Sequence, residues 1–327
     1  MHISDCMVLP TFWYSKLDSL ATHVWTISQS ICIPSSNISI DEMIARFSER
    51  SAHTIRIKNK PIPEGYKILS LCDAGYTYAF IFTSRIQSQP EVQPIPSLNR
   101  VGNEVCHLVF QLPKGKSFNI FMDNYFSNIS LFKYLRDNKI GACGTVWTNN
   151  ANFPQILKVK KKLDWDTLSG VVVNDVLAIL WIDNGPVTML STIHKINGNE
   201  NRIERVRRQP RETSTNATKV REVFGAASKK SLPIPIVIDD YNHFMGEVDI
   251  ADQLREYYAI QLSVRRIWML LFFWLLDTAI INSYLILKKS DINISHKDFR
   301  IQLVWDYRCP LKPFQNNFII SITMFLI

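Results

Sequence analysis

The sequence predicts an α/β fold, a mixed sheet flanked by helices and interrupted by a β-containing, partly disordered insertion domain. Three observations carry this. Short apolar, β-forming runs such as 66–73 and 118–122 alternate with stretches whose apolar residues recur at helical spacing. Residues 118–147 read strand, helix, strand, which is a parallel crossover unit. From about 148 to 235 the composition turns basic and polar, and apolar helices resume only afterwards.

Residues 1–40 have no clear period, although Trp13, Tyr14, Leu17, Leu20 and Trp25 could line a short helix face. A turn-rich passage ends at Pro61, Pro63 and Gly65, and two β-rich runs follow at 66–73 and 76–84, with Gly75 suited to a tight hairpin between them. Leu98, Val101, Val105, Leu108 and Val109 predict a helix, and 118–122 a fully apolar strand. Ser127 is the expected cap of a helix carrying Ile129, Leu131, Phe132 and Leu135 that Gly141 closes, and 142–147 is the next strand. Further strands are expected at 171–173, 177–182 and 187–193. Helices at 248–262 and 265–288 complete the pattern. The organisation is thus an N-terminal remnant (1–35), a core in two parts (36–147 and 236–305), an insertion (148–235) and a divergent apolar tail (306–327).

Composition bounds the function. The chain has 327 residues, 46% apolar, enough for a large core. Its 37 basic against 29 acidic side chains give a net charge of +8, which favours a polyanionic partner. Six cysteines show no CxxC pair or Cys/His ligand spacing, so reduced, buried thiols are expected and no zinc. The N-terminus lacks the basic and apolar regions of a signal peptide. Residues 267–287 are long enough to cross a bilayer, but Asp277, Asn282 and Ser283 interrupt them, and a mid-span carboxylate is costly in lipid. A buried protein helix is expected there, with no membrane partner.

Three aspartates carry the chemical expectation. Asp73 and Asp123 each end an apolar strand-like run, and Asp249 opens an apolar helical stretch. Carboxylates at the ends of neighbouring strands, with a third on a covering helix, can hold two divalent ions about 3.5–4 Å apart. Such a pair activates a nucleophile and stabilises the leaving oxygen of a phosphodiester. Asp252, three residues beyond Asp249, falls on the same helix face.

The runs Ser39-Ile-Asp41-Glu42-Met43, Asn59-Lys60-Pro61, Gly65-Tyr66-Lys67, Leu71-Cys72-Asp73, Asp123-Asn124-Tyr125-Phe126-Ser127 and Gly144-Thr145-Val146 resemble the core of piggyBac transposases and their host-derived relatives. The likeness continues through Tyr241-Asn242, Met245-Gly246-Glu247-Val248-Asp249 and Asp252-Gln253, and covers roughly residues 35–305. It implies an RNase H-like core with an insertion domain and an aspartate triad matched to Asp73, Asp123 and Asp249, with Asp252 in support. It further implies two Mg²⁺ or Mn²⁺ ions and cut-and-paste transposition on double-stranded DNA at TTAA targets. A homodimer and a nuclear location would follow. Two departures stand out: Glu247 replaces a usual glycine, and Phe47-Ser48-Glu49-Arg50 replaces Phe-x-Gly-Arg. The resemblance also implies longer chains with an N-terminal DNA-binding region and a cysteine-rich C-terminal module. This sequence is therefore expected to be a fragment or decayed copy, active as a transposase core or, alternatively, an inactive host protein binding DNA through its insertion.

That insertion holds nine Lys and Arg against three Glu in 201–230, a composition expected to stay flexible. Arg202, Arg205, Arg207, Arg208 and Arg211 are candidate phosphate contacts, and Lys158, Lys160, Lys161 and Lys162 a second group.

Overall fold

The computed structural model describes residues 12–47, 49–57, 62–86, 92–158, 163–196, 201–213, 217–262, 266–290 and 292–308. Lys160, Lys161, Lys162, Cys6, Cys309 and the tail beyond 308 lie outside them.

After helix α1 (Asp18–Ile31), the strands β1 (Asn37–Arg46), β2 (Ile55–Arg56), β3 (Glu64–Asp73) and β4 (Tyr76–Thr83) open a mixed sheet. Helix α2 (Arg100–Val109) leads to β5 (Asn119–Met122), α3 (Ile129–Asp137) and β6 (Gly141–Thr145), the expected crossover. β1 pairs antiparallel with β3 and parallel with β5, and β5 pairs parallel with β6. β4 lies against β3, joined through Gly75 at φ +90°, where a side chain would meet Ile250. The order β4-β3-β1-β5-β6 is a mixed sheet with helices on both faces, the RNase H-like arrangement.

Both faces are dry. Ile38, Ile40, Leu69, Leu71, Ile120 and Met122 enter one core with residues of α2 and α3. Met43, Ala45, Ile68 and Cys72 enter the other, with α1 and two later helices, α6 (Glu247–Tyr257) and α7 (Ile267–Lys289). The four cysteines among the described residues are free and buried. Small details of capping differ from the sequence reading. Asn128, not Ser127, caps α3 by accepting from Leu131 N at 2.9 Å, and Gly141 begins β6.

The stretch 148–235 is more ordered than its composition suggests. β7 (Leu168–Val173), β8 (Val176–Ile182) and β9 (Pro186–Ser191) continue the main sheet, because β9 pairs antiparallel with β6. The supposedly flexible tract forms a two-stranded ribbon, β10 (Arg202–Arg208) with β11 (Lys229–Pro235), connected through α4 (Ala217–Phe224). Val220, Phe224 and Leu232 give this unit a small core of its own. Next come α5 (Ile236–Phe244), which the sequence reading left unassigned, α6, α7 and α8 (His296–Arg308).

α7 is long and apolar enough to span a membrane, yet 72% of its most apolar window is buried within the protein. The polar residues that interrupt it all find protein partners. Asp277 is paired with Arg300 at 3.2 Å, and Asn282 bonds both the amide and the carbonyl of Thr77 on β4 at 2.9 Å.

Candidate active site

In the parallel pair β1–β5, Ile40 lies beside Met122. One residue further on, Asp41 and Asp123 sit side by side, their backbones about 4.8 Å apart. Strand alternation gives the two side chains one face, opposite to that of Ile40 and Met122. Local bonds orient each of them. Asp41 Oδ1 accepts from Glu42 N at 2.7 Å. Asp123 Oδ1 accepts from Tyr125 N at 2.8 Å, an Asx turn, while Ser127 Oγ donates to the Asp123 carbonyl at 2.8 Å.

Tyr241 on α5 senses both carboxylates. Its hydroxyl lies 3.3 Å from Thr145 Oγ1 at the end of β6. Burial pushes the phenol up to about 12, and the negative charges of Asp123 and Asp41 add to that push, against the hydrogen bond with Thr145. Two carboxylates and a neutral phenol thus converge where the parallel pairing of β1 and β5 stops, the end of an open sheet at which ligands commonly bind.

Asp73 does not join them, which corrects the expected triad. Cys72 pairs with Ser39, so Asp73 lies three residues before Asp41 along β1, roughly 10 Å along the strands, and two strand spacings from β5. It is 5% exposed, accepts from Ser35 N at 3.0 Å, and is paired with Lys289 of α7 at 3.2 Å. Beside it, burial pushes the Glu247 carboxyl up to about 8; the Asp73 charge adds to this, and the amides of Ala74 and Ser39 oppose it. The glycine-to-glutamate departure therefore falls at the start of α6, against the scaffold end of the sheet.

Asp249 is exposed in the first turn of α6, about 100° around the helix from buried Val248. Asp252 is half-buried and engaged by the Arg255 guanidinium. Among the described residues, no group of three His, Cys, Asp or Glu side chains is gathered closely enough to hold a metal ion. The structure joins Asp41 with Asp123, leaves Asp249 on the helix that packs over β1, and removes Asp73. The oxygen-only donors fit a hard divalent cation. Asp41 escaped the sequence reading because it lies inside a strand, not at its end. The signal was the alternation of Ile38 and Ile40 before it.

A family model described as "Transposase IS4" matches residues 14–284, most of the chain. The chain belongs to this DDE transposase family. Members of the family use divalent metals. A cryo-EM structure of a piggyBac transposase synaptic complex with hairpin DNA is similar to this chain, with 21% identity and a TM-score of 0.66. The match covers 89% of this chain and 57% of that one, so the transposase domain described here spans little more than half the length of that relative.

The basic residues of this transposase domain divide into two groups. Arg202 is paired with Asp166 at 2.6 Å, Arg205 forks onto Asp239 at 2.6 and 2.7 Å, and Arg207 meets Asp183 at 2.5 Å over the Trp181 ring. These three fasten β10 to α5 and to the edge of the β7–β9 strands, which corrects their reading as open phosphate contacts. Arg208 and Arg211 are exposed, with Lys229 directly across the ribbon from Arg208. Lys158 is half-buried after a short turn of helix.

Proposed function

We propose that this chain is the catalytic core of a piggyBac-like DNA transposase, cleaving and transferring DNA strands with divalent metal ions held by Asp41, Asp123 and Asp249. The observation that carries this reading is the side-by-side placement of Asp41 and Asp123 beneath Tyr241 in a chain of a DDE family. Two ions of Mg²⁺ or Mn²⁺, once bound, would supply the activated nucleophile and the stabilised leaving oxygen.

The chain's own residues set the stage for that. The Tyr125 amide and the Asx turn fix one Asp123 oxygen. The phenol of Tyr241, kept neutral, can donate to a phosphate oxygen without adding charge. α6 brings Asp249 on a helix anchored through buried Val248 and Ala251. The partner is double-stranded DNA with transposon ends and TTAA targets, and such work belongs in the nucleus. A non-catalytic, DNA-binding host protein is the second reading; it is favoured by the absence of a gathered three-carboxylate group among the described residues.

The deciding experiment is nicking and strand joining of a supercoiled plasmid in Mg²⁺ or Mn²⁺, with Asp41→Asn and Asp123→Asn beside the parent. Loss in both variants supports the reading. Equal activity of parent and variants, or none in any of them with DNA binding intact, favours the second.

A further inference from the structure

Ser39, Phe121, Cys143 and Ser191 form one row across β1, β5, β6 and β9. Two residues further along β1, β5 and β6, which run parallel, Asp41, Asp123 and Thr145 form the next row on the same face. α5 lies across this face: Val237 and Ile238 share a core with Phe121 and Cys143, and the Tyr241 hydroxyl reaches Thr145. A hydrogen-bonded link ties α5 to the end of β9 at the residue before Tyr241. Ser191 Oγ lies 2.7 Å from His194 Nδ1, and His194 Nε2 lies 2.9 Å from Asp240 Oδ2. Ser191 Oγ also accepts from the amides of Ile193 and His194, at 3.2 and 3.1 Å, so its hydroxyl proton is left for His194 Nδ1. Nε2 then carries the ring proton and donates to the Asp240 carboxylate. Ser191 is fully buried, the His194 side chain is 9% exposed and that of Asp240 38%. With its oxygen engaged from every side, Ser191 is an anchor and not a nucleophile. The nearness of Asp240 to the sheet registers at Cys143, whose thiol is pushed up by burial and further by the Asp240 charge.

We propose that His194 is a positioning residue, holding α5 through Asp240 so that the Tyr241 hydroxyl stays at the end of the row formed by Asp41, Asp123 and Thr145. The inference rests on the function proposed above, which gives Tyr241 its place at the reacting phosphate. Buried Val237 and Ile238 press α5 onto the sheet, and the Arg205 fork holds it at Asp239. His194 adds a bond at the residue adjoining the phenol. Without it, α5 is free to carry the hydroxyl away from Thr145, and a misplacement of about 1 Å can cost roughly 100-fold in rate.

The test follows the Tyr241 ring by NMR in the full chain, isotope-labelled at the tyrosine Cζ, its signal being the one missing from Tyr241→Phe. In the parent this signal is expected to move when Asp123→Asn removes a neighbouring charge. His194→Ala displaces the signal and abolishes its response to Asp123→Asn. Asp240→Ala, which cuts the link at its more exposed end and so spares the fold, does the same. His194→Gln keeps a donor for Asp240 and restores the response, whereas His194→Asn, which keeps only the contact with Ser191, does not. Nicking in Mg²⁺ is measured in parallel: His194→Ala lowers kcat by up to about 100-fold at unchanged KM for DNA, and His194→Gln recovers most of the loss. A parent signal indifferent to Asp123→Asn, an unmoved signal in both Ala variants, or equal behaviour of the Gln and Asn variants would each overturn the inference. A signal that depends on His194 in a protein that nicks nothing sinks the catalytic reading alone, whereas nicking with a signal independent of His194 sinks the positioning role alone.

Discussion

Replacing Asp73 by Asn separates scaffold from chemistry. The carboxylate is almost fully buried, accepts from Ser35 N and meets Lys289, whose side chain is about half exposed. Breaking a wholly buried ion pair costs roughly 3–5 kcal/mol, and breaking an exposed one under about 1 kcal/mol. With one partner buried and the other half in water, the loss falls near 2 kcal/mol, reduced somewhat because Glu247 no longer faces a like charge. For a chain of this size that lowers the melting midpoint by roughly 4 °C. Urea unfolding is the direct assay, with Mn²⁺ binding measured in the same samples. Asp41→Asn is expected to show the opposite pattern: stability within about 0.5 kcal/mol of the parent, and ion affinity down by more than the 10–100-fold that loss of an outer partner typically brings. An Asp73→Asn protein of unchanged stability that has lost ion binding would refute the assignment of this residue to the scaffold.

Three further outcomes are expected. Arg205→Ala and Arg207→Ala remove internal ion pairs and leave the salt dependence of DNA affinity nearly unchanged, whereas Arg208→Ala or Arg211→Ala each lowers its slope by about 1 in a titration of affinity against salt. Asn282→Ala strands the buried amide and carbonyl of Thr77 and costs roughly 2–4 kcal/mol in urea unfolding. His296 is held down to about 4 by burial and by Arg300, whose Nε donates to its Nε2 at 3.0 Å. The unfolded chain takes up that proton near pH 6.5, so stability is full above about 6.5 and falls as the pH drops towards 4, by roughly 1–2 kcal/mol. Unfolding curves of His296→Gln over the same range should be flatter.

Wherever burial imposed a period, the sequence was readable. The hairpin at 66–84, the crossover from 118 to 147 and the strands at 177–182 and 187–193 all appear within a few residues of their expected places. β1 was missed because it is not uniformly apolar: Asp41 and Glu42 interrupt it, and Glu42 is paired with Lys67 of β3. A rule that looks for carboxylates at strand ends chose Asp73, which satisfies the rule locally and fails only in register, a property of pairing between distant segments. The basic tract misled for a related reason. Its arginines look solvated in isolation, and their partners Asp166, Asp183 and Asp239 are scattered over more than seventy positions. Asp123 was found by either route, because the same residue ends an apolar run and starts a capped turn.

Because β9 hydrogen-bonds directly to β6, the middle of the chain is stitched into the ladder that also carries Asp123. A hinge cannot form along that seam without breaking the ladder. Torque applied to β7–β9 would reach β6 and β5 as twist, passed through backbone bonds. The β10–β11 ribbon lies outside that ladder, and three arginine pairs tie it to the rest, each of which can be undone by a single substitution.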